Sequence, residues 1–433
     1  MLLAFSIKAQ AVTYYVDSAA GRDSNLGISP NAPWQTVGKV MSELSSLLPG
    51  DAVLFRGGGV WTQEFDINVA VGSPSNPIVF SSYSVGRPVL DELGKNHYCI
   101  DAIGTTARYL KFDNFECRHA TEQGVTFQTS GGGMPGITVQ NFYIHNTGPG
   151  AFNSSSAIVG TDDGNYANQL DFEDFGQGAD NVHFINNVVK WAGGHNCLEV
   201  HYDTGAVIVQ GNAVGPGCVH GAIDVKGVGN PTTPATIRAN MATCGFSAHL
   251  CGCQTSSCNP TPAFYTENTY AASEEVIYSL NVAYDSGAGF QDCPGGCSNG
   301  NGCAMNVKYY NNDAYISSSV PNSFGIYANG TCDGAAASSS AIDLRNNVFD
   351  GSVVSVNGMS SVTENYNDIG GAQGNAGFSL NGSTKAGLND KNNVDPPYVN
   401  AASIPPNYHL QLGSKLIKAG QTGLTTLTDI GAY

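Results

Sequence analysis

Positively charged residues are scarce in this chain of 433 residues, which has 18 lysines and arginines against 35 aspartates and glutamates. Nucleic-acid binding depends on Lys and Arg that neutralise phosphates, so the net charge of −17 argues against a nucleic-acid partner. Charged residues make up only 12% of the chain, which excludes a coiled coil or a helical bundle, since both are rich in Glu, Lys and Arg. The sequence also lacks an apolar run of the roughly 18 to 20 residues that a membrane span needs.

Glycine and asparagine are abundant instead, with 54 and 40 residues, and hydrophobic residues make up 41% of the chain. That apolar content is enough to bury a long core, which argues against wholesale disorder. Gly and Asn are typical of turns, and Val, Tyr and Phe are typical of strands. We therefore expect a fold that is rich in strands and turns.

The first eleven residues and the cysteines both indicate export. Residues 1–11 are rich in leucine and end in Ala9-Gln10-Ala11, which is similar to a signal-peptide cleavage site, so we interpret them as the remnant of an export signal. The chain has 12 cysteines, and an even number is typical of disulfide-bonded proteins outside the cytoplasm. We expect a secreted or periplasmic protein in which most cysteines are oxidised.

Seven of these cysteines form a cluster, which consists of Cys244, Cys251, Cys253, Cys258, Cys293, Cys297 and Cys303. Zinc binding is the alternative to disulfides for such a cluster. The spacings do not repeat as paired C-x-x-C units, however, and only His249 lies nearby. Disulfides that link long loops are therefore the preferred interpretation.

A short pattern recurs along the chain: a β-rich run ends in Asn and is followed by an apolar pair. Its eight copies end at Asn114, Asn141, Asn187, Asn212, Asn240, Asn281, Asn312 and Asn347. The spacing is as short as 25 residues, between Asn187 and Asn212, and as long as 46 residues, between Asn141 and Asn187. A propeller blade or a leucine-rich repeat would keep a more constant period.

This pattern is what a parallel β-helix requires, because each coil consists of short strands joined by polar corners and by loops of variable length. Stacked coils bury one another's inward residues. Asn suits the corners because it tolerates left-handed backbone, and stacked Asn amides can hydrogen-bond from coil to coil. We predict an all-β parallel β-helix in which the eight asparagines form a ladder.

Three regions carry a resemblance to a known superfamily. They are residues 13–40 (TYYVDSAAGRDSNLGISPNAPWQTVGKV) with residues 49–61 (PGDAVLFRGGGVW), then the coils, then residues 407–420 (NYHLQLGSKLIKAG) with residues 429–433 (DIGAY). The chain resembles the secreted right-handed parallel β-helix proteins of the pectate lyase-like superfamily. The resemblance implies one domain over residues 12–433, with a cap and first coils in 12–95, central coils in 96–370 and a closing segment in 371–433.

Five segments align on one strand of the coil and place a set of polar residues on one face. They are CLEVHYD (197–203), AIDVKG (222–227), AFYTEN (263–268), GFQDC (289–293) and GIYANG (325–330). Because side chains alternate along a strand, the apolar positions point inward. The outward residues are then Glu199, His201, Asp224, Lys226, Tyr265, Glu267, Tyr327 and Asn329. Solvated surface salt bridges are the plain alternative to a functional patch here.

The segment HGAIDVKG (220–227) is similar to the coil that carries the catalytic lysine in family 9 pectate lyases. In that family a Lys is the base and an Asp cluster holds calcium, so the resemblance implies Lys226 as base and Asp224 as a calcium ligand. Glu199 is the second candidate ligand, and His201 is the second candidate catalytic residue. The family's run of Asp on adjacent coils is not reproduced, and Asp292 has inward parity.

Three functions stay open on the residues alone. Calcium can neutralise a uronate carboxylate so that an amine removes the C5 proton, which would make the protein a polysaccharide lyase. A glycoside hydrolase would instead use two carboxyl groups among Glu199, Asp224 and Glu267. A glycan-binding adhesin would use Tyr265 and Tyr327 as stacking platforms, and the charged residues would only orient the sugars. The residues that we expect to bind substrate are Tyr265, Glu267, His220, Tyr327 and Asn329. We expect a monomer that binds a polysaccharide and favour calcium-assisted β-elimination.

Overall fold

The structure is a computed structural model, and it describes 20 separate stretches of the chain. The described residues are 10–67, 69–104, 106–129, 133–148, 168–175, 178, 180–192, 195–218, 220–243, 262–267, 273–293, 304–315, 323–329, 340–350, 353–369, 378–381, 388–391, 398–400, 407–425 and 429–432. The predicted export remnant therefore lies almost entirely outside the described residues. So does most of the cysteine cluster.

Nearly all regular structure is β-strand. In chain order the strands are β1 Thr13–Val16, β2 Ala52–Arg56, β3 Val60–Trp61, β4 Phe65–Asp66, β5 Ile78–Tyr83, β6 Val89–Asp91, β7 Tyr98–Ile103, β8 Leu110–Asp113, β9 Glu116–Arg118, β10 Gln123–Thr129, β11 Ile137–Gln140, β12 Tyr143–Thr147, β13 Leu170–Asp174, β14 His183–Ile185, β15 Val188–Ala192, β16 Asn196–His201, β17 Ile208–Gln210, β18 Ala213–Val214, β19 Gly221–Lys226, β20 Ala235–Arg238, β21 Met241–Ala242, β22 Pro262–Glu267, β23 Ser273–Ser279, β24 Val282–Tyr284, β25 Ala288–Cys293, β26 Ala304–Tyr310, β27 Asp313–Tyr315, β28 Phe324–Asn329, β29 Ala341–Arg345, β30 Val348–Asp350, β31 Val353–Asn357, β32 Ser361–Asn365, β33 Asp368–Ile369, β34 Phe378–Leu380, β35 Tyr398–Asn400 and β36 Asn407–Leu410. The helical elements within the described stretches are an α-helix, Val37–Glu43, and a 3₁₀ turn, Leu44–Ser46.

The strands form three long parallel sheets, because each sheet takes one strand from every coil. Sheet A runs β1-β2-β5-β8-β11-β14-β17-β20-β23-β26-β29-β32, sheet B runs from β3 to β33, and sheet C runs from β4 to β34 through β7, β10, β13, β16, β19, β22, β25, β28 and β31. This is the predicted right-handed parallel β-helix. No described helix is long and apolar enough to span a membrane.

The predicted alignment of the central coils is confirmed in sheet C. Leu198, Ile223 and Phe264 are register partners on successive strands, and all three are buried. Phe264 also stacks on Phe290 of the next strand, with ring centroids 4.9 Å apart. The interior of the β-helix is thus filled by rows of apolar side chains. In each row, the same position on successive strands carries a side chain of the same orientation.

An asparagine ladder follows the corner between sheets A and B. Its members are Asn187, Asn212, Asn240, Asn281, Asn312, Asn347 and Asn367, and they are all buried. From Asn212 onward, each side-chain oxygen accepts from the backbone N–H and the amide of the preceding member, as Asn240 does from Asn212 at 2.9 Å for both. Six of the eight predicted members are confirmed.

The ladder assignment was wrong for Asn114 and Asn141. Both have left-handed backbone, with φ of 66° and 59°, and they occupy the corner position one residue before the ladder. Phe115 and Phe142 take the ladder position in those coils, with ring centroids 5.5 Å apart. The row therefore changes from stacked aromatic rings to stacked amides along the β-helix.

Two disulfides lie within the described coils. Cys99 pairs with Cys117 and Cys197 pairs with Cys218, and all four residues are buried. The expectation of oxidised cysteines is thus met for these four. The cysteine cluster, including the side chain of Cys293, lies outside the described part of the chain.

Polar contacts tie the last described residues to the coils. Asn346 exchanges hydrogen bonds with the backbone of Gln421, at 2.6 and 2.9 Å, and the Ala432 N–H donates to Asp313 at 3.1 Å. The division into cap, central coils and closing segment stays a prediction.

Candidate active site

A row of outward-facing acidic residues crosses the middle of sheet C. Asp171 of β13, Glu199 of β16 and Asp224 of β19 are register partners, and Tyr265 of β22 follows them. A second row runs beside it and contains Glu173, His201, Lys226 and Glu267 on the same strands. We call these eight residues the sheet C cluster. Alternation along each strand places both rows on the outer face.

Most of this cluster is buried, whereas the sequence led us to expect an exposed patch. Asp171 and Glu199 are 0% exposed, and Asp224 is 3% exposed. The reason is that other polar side chains pack across them. Asn196 donates its amide to carboxylate oxygens of both Glu199 and Asp224, the latter at 3.0 Å. Buried charges of this kind need such partners, because an unpaired one costs several kcal/mol.

His201 lies among three carboxylates. Its Nε2 is 2.7 Å from Glu199 Oε1 and 3.7 Å from Asp224 Oδ2, and its Nδ1 is 3.5 Å from Glu173 Oε1. Burial lowers the pKa of the imidazole, but Glu199, Asp224 and Glu173 outweigh it and raise the pKa well above its ordinary value. The side chain is therefore an imidazolium that offsets part of the negative charge of the cluster.

The two carboxyl groups near His201 Nε2, those of Glu199 and Asp224, have pKa values that are shifted in opposite directions. Burial raises the pKa of Glu199, although His201 opposes it. Burial also acts to raise the pKa of Asp224, but the positive charges of His201 and the nearby Lys226 outweigh it, so the pKa of Asp224 is lowered. Of the two, Asp224 is thus the group that is ionised at neutral pH.

Lys226 is paired with Glu267. Lys226 Nζ lies 2.9 Å from Glu267 Oε2, and both side chains remain partly accessible, at 17% and 15%. Burial lowers the pKa of Lys226, but Glu267 and Asp224 outweigh it and raise the pKa above its ordinary value. As it stands, the amine is held protonated.

The remaining candidates extend from the cluster along sheet C. The His220 ring stacks on His195, with centroids 4.2 Å apart, and meets the edge of Tyr265 at 6.1 Å. Tyr327 and Asn329 lie on β28, two strands beyond β22, with partly exposed side chains. At about 4.8 Å per strand they are roughly 10 Å from the Tyr265 strand, so they are outside the cluster.

Sequence reasoning missed three residues of this site. Asp171 and Glu173 lie on β13, and Asn196 is the first residue of β16. The alternation in LDFED (170–174) could have revealed the first two, since it places both acids outward with Phe172 inward. Asn196 has no such signal in the sequence, because Asp224, to which it donates, lies on the neighbouring coil.

The cluster contains oxygen donors that could hold a cation. Among the described residues, Asn196 Oδ1 and Asp224 Oδ1 are buried oxygens without a hydrogen-bond partner, and Glu199 Oε1 is ion-paired with His201 at 2.7 Å. Carboxylate and amide oxygens are the ligands that calcium prefers, so these three residues fit calcium. Ligand atoms of Glu173, Glu199 and His201 also lie within 4.8 Å of one another. The imidazole of His201 is not a typical calcium ligand, and it would remain an ion-pair partner.

Asp292 is inward, as its parity predicted, and does not belong to the cluster. It is fully buried and accepts a hydrogen bond from the Tyr309 hydroxyl at 2.6 Å. Burial raises the pKa of Asp292 to about 7. It is an interior polar group and not a candidate metal ligand.

Comparisons with known proteins agree with this architecture. No family model matches the chain. Lacto-N-biosidase of Bifidobacterium longum subsp. longum is 39% identical over 90 residues, which are 20% of this chain and only 6% of that protein. The chain therefore spans a small part of this relative's length.

Among solved structures, pectate lyase Pel9A superimposes with a TM-score of 0.59 at 16% identity, over 98% of this chain and 96% of that one. A rhamnogalacturonan lyase gives a TM-score of 0.48 at 14% identity, over 90% and 91% of the two chains. At such identities the likeness concerns architecture and not activity. The chain thus has the fold of the pectate lyase-like right-handed parallel β-helix proteins, to which it is distantly similar.

Proposed function

We propose that this protein is an exported enzyme that degrades a polysaccharide, and that it cleaves a uronate-containing chain by calcium-assisted β-elimination. One observation carries the proposal: a partly accessible amine, Lys226, borders a buried group of carboxylates whose oxygens are not all satisfied. Burying several carboxylates together costs free energy of folding, so we expect these carboxylates to have a function that offsets the cost. Cation binding next to a base is such a function.

The residues would act as follows. Asn196, Glu199 and Asp224 would hold the ion. When bound, calcium would neutralise the uronate carboxylate and make the C5 proton more acidic. Lys226 would take that proton in its neutral form, while the C4–O4 bond breaks and a C4=C5 double bond forms. The departing oxygen needs a proton, and His201, the register partner of Lys226, is the candidate donor.

The sugar chain would run along the outer face of sheet C. Tyr265 and His220 present partly exposed rings next to the cluster, and Tyr327 and Asn329 lie farther along the same face. Aromatic rings pack on the apolar faces of sugars, so these residues would position units on one side of the cleaved bond. Glu267 would hold Lys226 in place through its 2.9 Å contact.

Hydrolysis is the second candidate, and one contact favours it. The Asn196 amide donates to carboxylates of both Glu199 and Asp224, which holds two carboxyl groups close together. Glycosidases use carboxyl pairs about 5 to 5.5 Å apart for retention, or about 6.5 to 9.5 Å apart for inversion. In that mechanism Lys226 has no chemical role.

Product analysis separates these functions. The purified protein is incubated with pectate, alginate, glycosaminoglycans and neutral glycans, with and without EDTA. Unsaturated uronate products with ultraviolet absorbance indicate elimination, new reducing ends without it indicate hydrolysis, and binding with neither product indicates an adhesin.

The variant Lys226→Ala tests the base directly. It should lower turnover roughly 10² to 10⁴-fold, which is the usual contribution of a positioned base. Lys308→Ala is the matched control, because Lys308 is also paired with a glutamate, Glu275, but lies on sheet A. Full activity of Lys226→Ala would rule out the elimination mechanism. Hydrolysis predicts that Glu199→Gln or Asp224→Asn is severe and Lys226→Ala is mild.

A further inference from the structure

A groove lies on the outer face of sheet A, on a different sheet from the cluster described above. Its volume is about 440 Å³, and its lining includes Tyr109, Lys111, Gly136, Thr138, Asn181 and His183. Ligand pockets in proteins are typically about 300 to 1,000 Å³, so the groove is large enough for a small ligand such as a sugar unit. We call it the sheet A groove.

The floor of the groove is one outward row of sheet A. Lys111 of β8, Thr138 of β11 and His183 of β14 are register partners on successive strands, and each is half-buried. Neighbouring strands are about 4.8 Å apart, so the three polar ends form a continuous strip of hydrogen-bonding groups. An ammonium, a hydroxyl and an imidazole are therefore presented side by side.

Lys111 supplies the only formal charge among the described lining residues. It takes part in no ion pair within the described part of the chain. The nearest acid on its own strand, Asp113, already accepts a hydrogen bond from Asn141 at 2.7 Å. Burial lowers the pKa of His183 despite a hydrogen bond with the Ala206 backbone, so this imidazole is neutral at pH 7. The groove thus offers one cation and neutral donors within an acidic protein.

Tyr109 forms a wall of the groove in a constrained position. Its backbone is left-handed, with φ of 53°, which is unusual for a bulky residue. Its ring lies against Gly136, where an added Cβ would be only 2.5 Å from Tyr109 Cδ1. The aromatic face is therefore held in one orientation at the edge of the strip.

We propose that the sheet A groove binds a saccharide residue that carries a carboxylate. The ring of Tyr109 would pack on the apolar face of the sugar, Lys111 would pair with its carboxylate, and Thr138 and His183 would bond its hydroxyls. A phosphate ligand would be expected to have several cations around it, whereas this groove has one. The site would anchor an acidic glycan at a distance from the place of cleavage.

The test uses monosaccharides, because they have no glycosidic bond at C4 and so cannot be cleaved by β-elimination. Methyl glycosides of galacturonate, glucuronate and mannuronate are titrated into the full chain and followed by ligand-observed NMR. Methyl galactoside and acetate are the matched probes that lack the carboxylate or the sugar. In parallel, acetylation of lysines is measured by mass spectrometry with and without each probe.

At least one uronoside should protect Lys111 from acetylation and leave Lys415, an exposed lysine outside the groove, unprotected. Lys111→Gln should weaken its binding roughly tenfold, since a charge-assisted hydrogen bond is lost. Lys415→Gln is the matched control. Tyr109→Leu should also weaken binding, and thermal unfolding of each variant shows that the fold is intact.

Absence of binding by all three uronosides would overturn the proposal, as would unchanged binding to Lys111→Gln. Equal protection of Lys111 by acetate would also contradict it, because the sugar would then contribute nothing. The outcome is independent of catalysis: Lys226→Ala should leave protection of Lys111 unchanged. If the elimination mechanism is ruled out but a uronoside still protects Lys111, the groove remains a glycan-binding site that is separate from catalysis.

Discussion

Lys226 and Glu267 are register partners on β19 and β22, and their side chains meet at 2.9 Å between Nζ and Oε2. The contact has two opposed consequences for the proposed role of Lys226 as a base. It fixes the amine at the accessible edge of the sheet C cluster, and it raises the pKa of Lys226, together with Asp224 and against burial. A base has to be neutral before it can accept a proton. Glu267 therefore controls the pH at which Lys226 becomes available.

The first prediction concerns Glu267→Gln. Removal of the negative charge should lower the pKa of Lys226, so the rise of kcat/KM with pH should move to lower pH, and the neutral amine should become roughly tenfold more abundant when that pKa falls by one. The measurement is a pH–rate profile of the variant and the wild type on the same polysaccharide. Glu275→Gln, which breaks the Lys308 pair on sheet A, is the control and should leave the profile unchanged. An identical profile for Glu267→Gln would mean that Lys226 is not the base.

The register of this site could be predicted from sequence, because burial imposes a strict alternation. Leu198 and Val200, like Ile223 and Val225, are apolar at every second position, so a shift by one residue would turn all of them outward. The same alternation fixes the faces of Glu199 and Asp224. Their burial could not be predicted, since it depends on Asn196 and other side chains from different coils.

The ladder shows where sequence spacing stops being informative. Several corners contain two consecutive asparagines, such as Asn186 and Asn187, of which the first is left-handed, with φ of 55°, and the second is the ladder member. A single Asn can occupy either position. Asn114 occupies the first and Asn212 the second. Only the backbone conformation distinguishes them, and the sequence pattern is the same for both.

The second prediction concerns the cation. Asp224→Asn removes one negative oxygen donor, so calcium should bind more weakly by isothermal titration, and activity should require more calcium. Asp343→Asn is the matched control, because Asp343 pairs with Arg345 on sheet A. Chelation with EDTA should lower both the activity and the thermal stability of the wild type, since an ion that binds the native state stabilises it. If calcium has no measurable binding and EDTA no effect, the cation and the lysine base both fail.

The third prediction concerns the asparagine ladder. Asn240 accepts from the backbone N–H and the amide of Asn212 and donates its own amide to Val209 O at 2.9 Å. Asn240→Ala would leave these buried groups unpaired, at about 1 to 3 kcal/mol each, so the free energy of unfolding should fall by several kcal/mol. Asn114→Gly is the control, since glycine suits the left-handed corner. Equal and small losses for both variants, measured by denaturant unfolding, would show that the ladder contributes little.

The fourth prediction concerns the interior of the central coils. Ile223→Ala or Phe264→Ala should lower the free energy of unfolding by roughly 2 to 5 kcal/mol, because both side chains are buried and a cavity would remain. Asn329→Ala, on the outer face of β28, should change it little. Urea denaturation with a common m-value is the appropriate measurement. A large fall in the free energy of unfolding for Asn329→Ala would contradict this prediction, because it would show that the outer face of sheet C also contributes strongly to stability.

The fifth prediction follows from Asp292 inside the β-helix. Burial raises its pKa to about 7, against the opposing hydrogen bonds from Tyr309 and Thr266. In the unfolded chain an Asp titrates near 3.9, so between about pH 4 and pH 7 the folded state holds a proton that the unfolded state has released. Stability from this group is present at low pH and is lost as the pH rises towards 7. The wild type should therefore be less stable at pH 8 than at pH 5.

Asp292→Asn should make this dependence shallower, because the amide still accepts from Tyr309 and stays neutral at every pH. The variant should be more stable than the wild type at pH 8, by a few kcal/mol at most. Asp17→Asn is the control: burial acts to raise the pKa of Asp17, but Arg56 and the backbone N–H groups of Ala19 and Ala20 together outweigh it and lower the pKa. That group contributes stability that is lost only below its ordinary titration range, so Asp17→Asn should cost the same at pH 5 and pH 8. A slope between pH 5 and pH 8 that Asp292→Asn leaves unchanged would mean that Asp292 is not the group that titrates there.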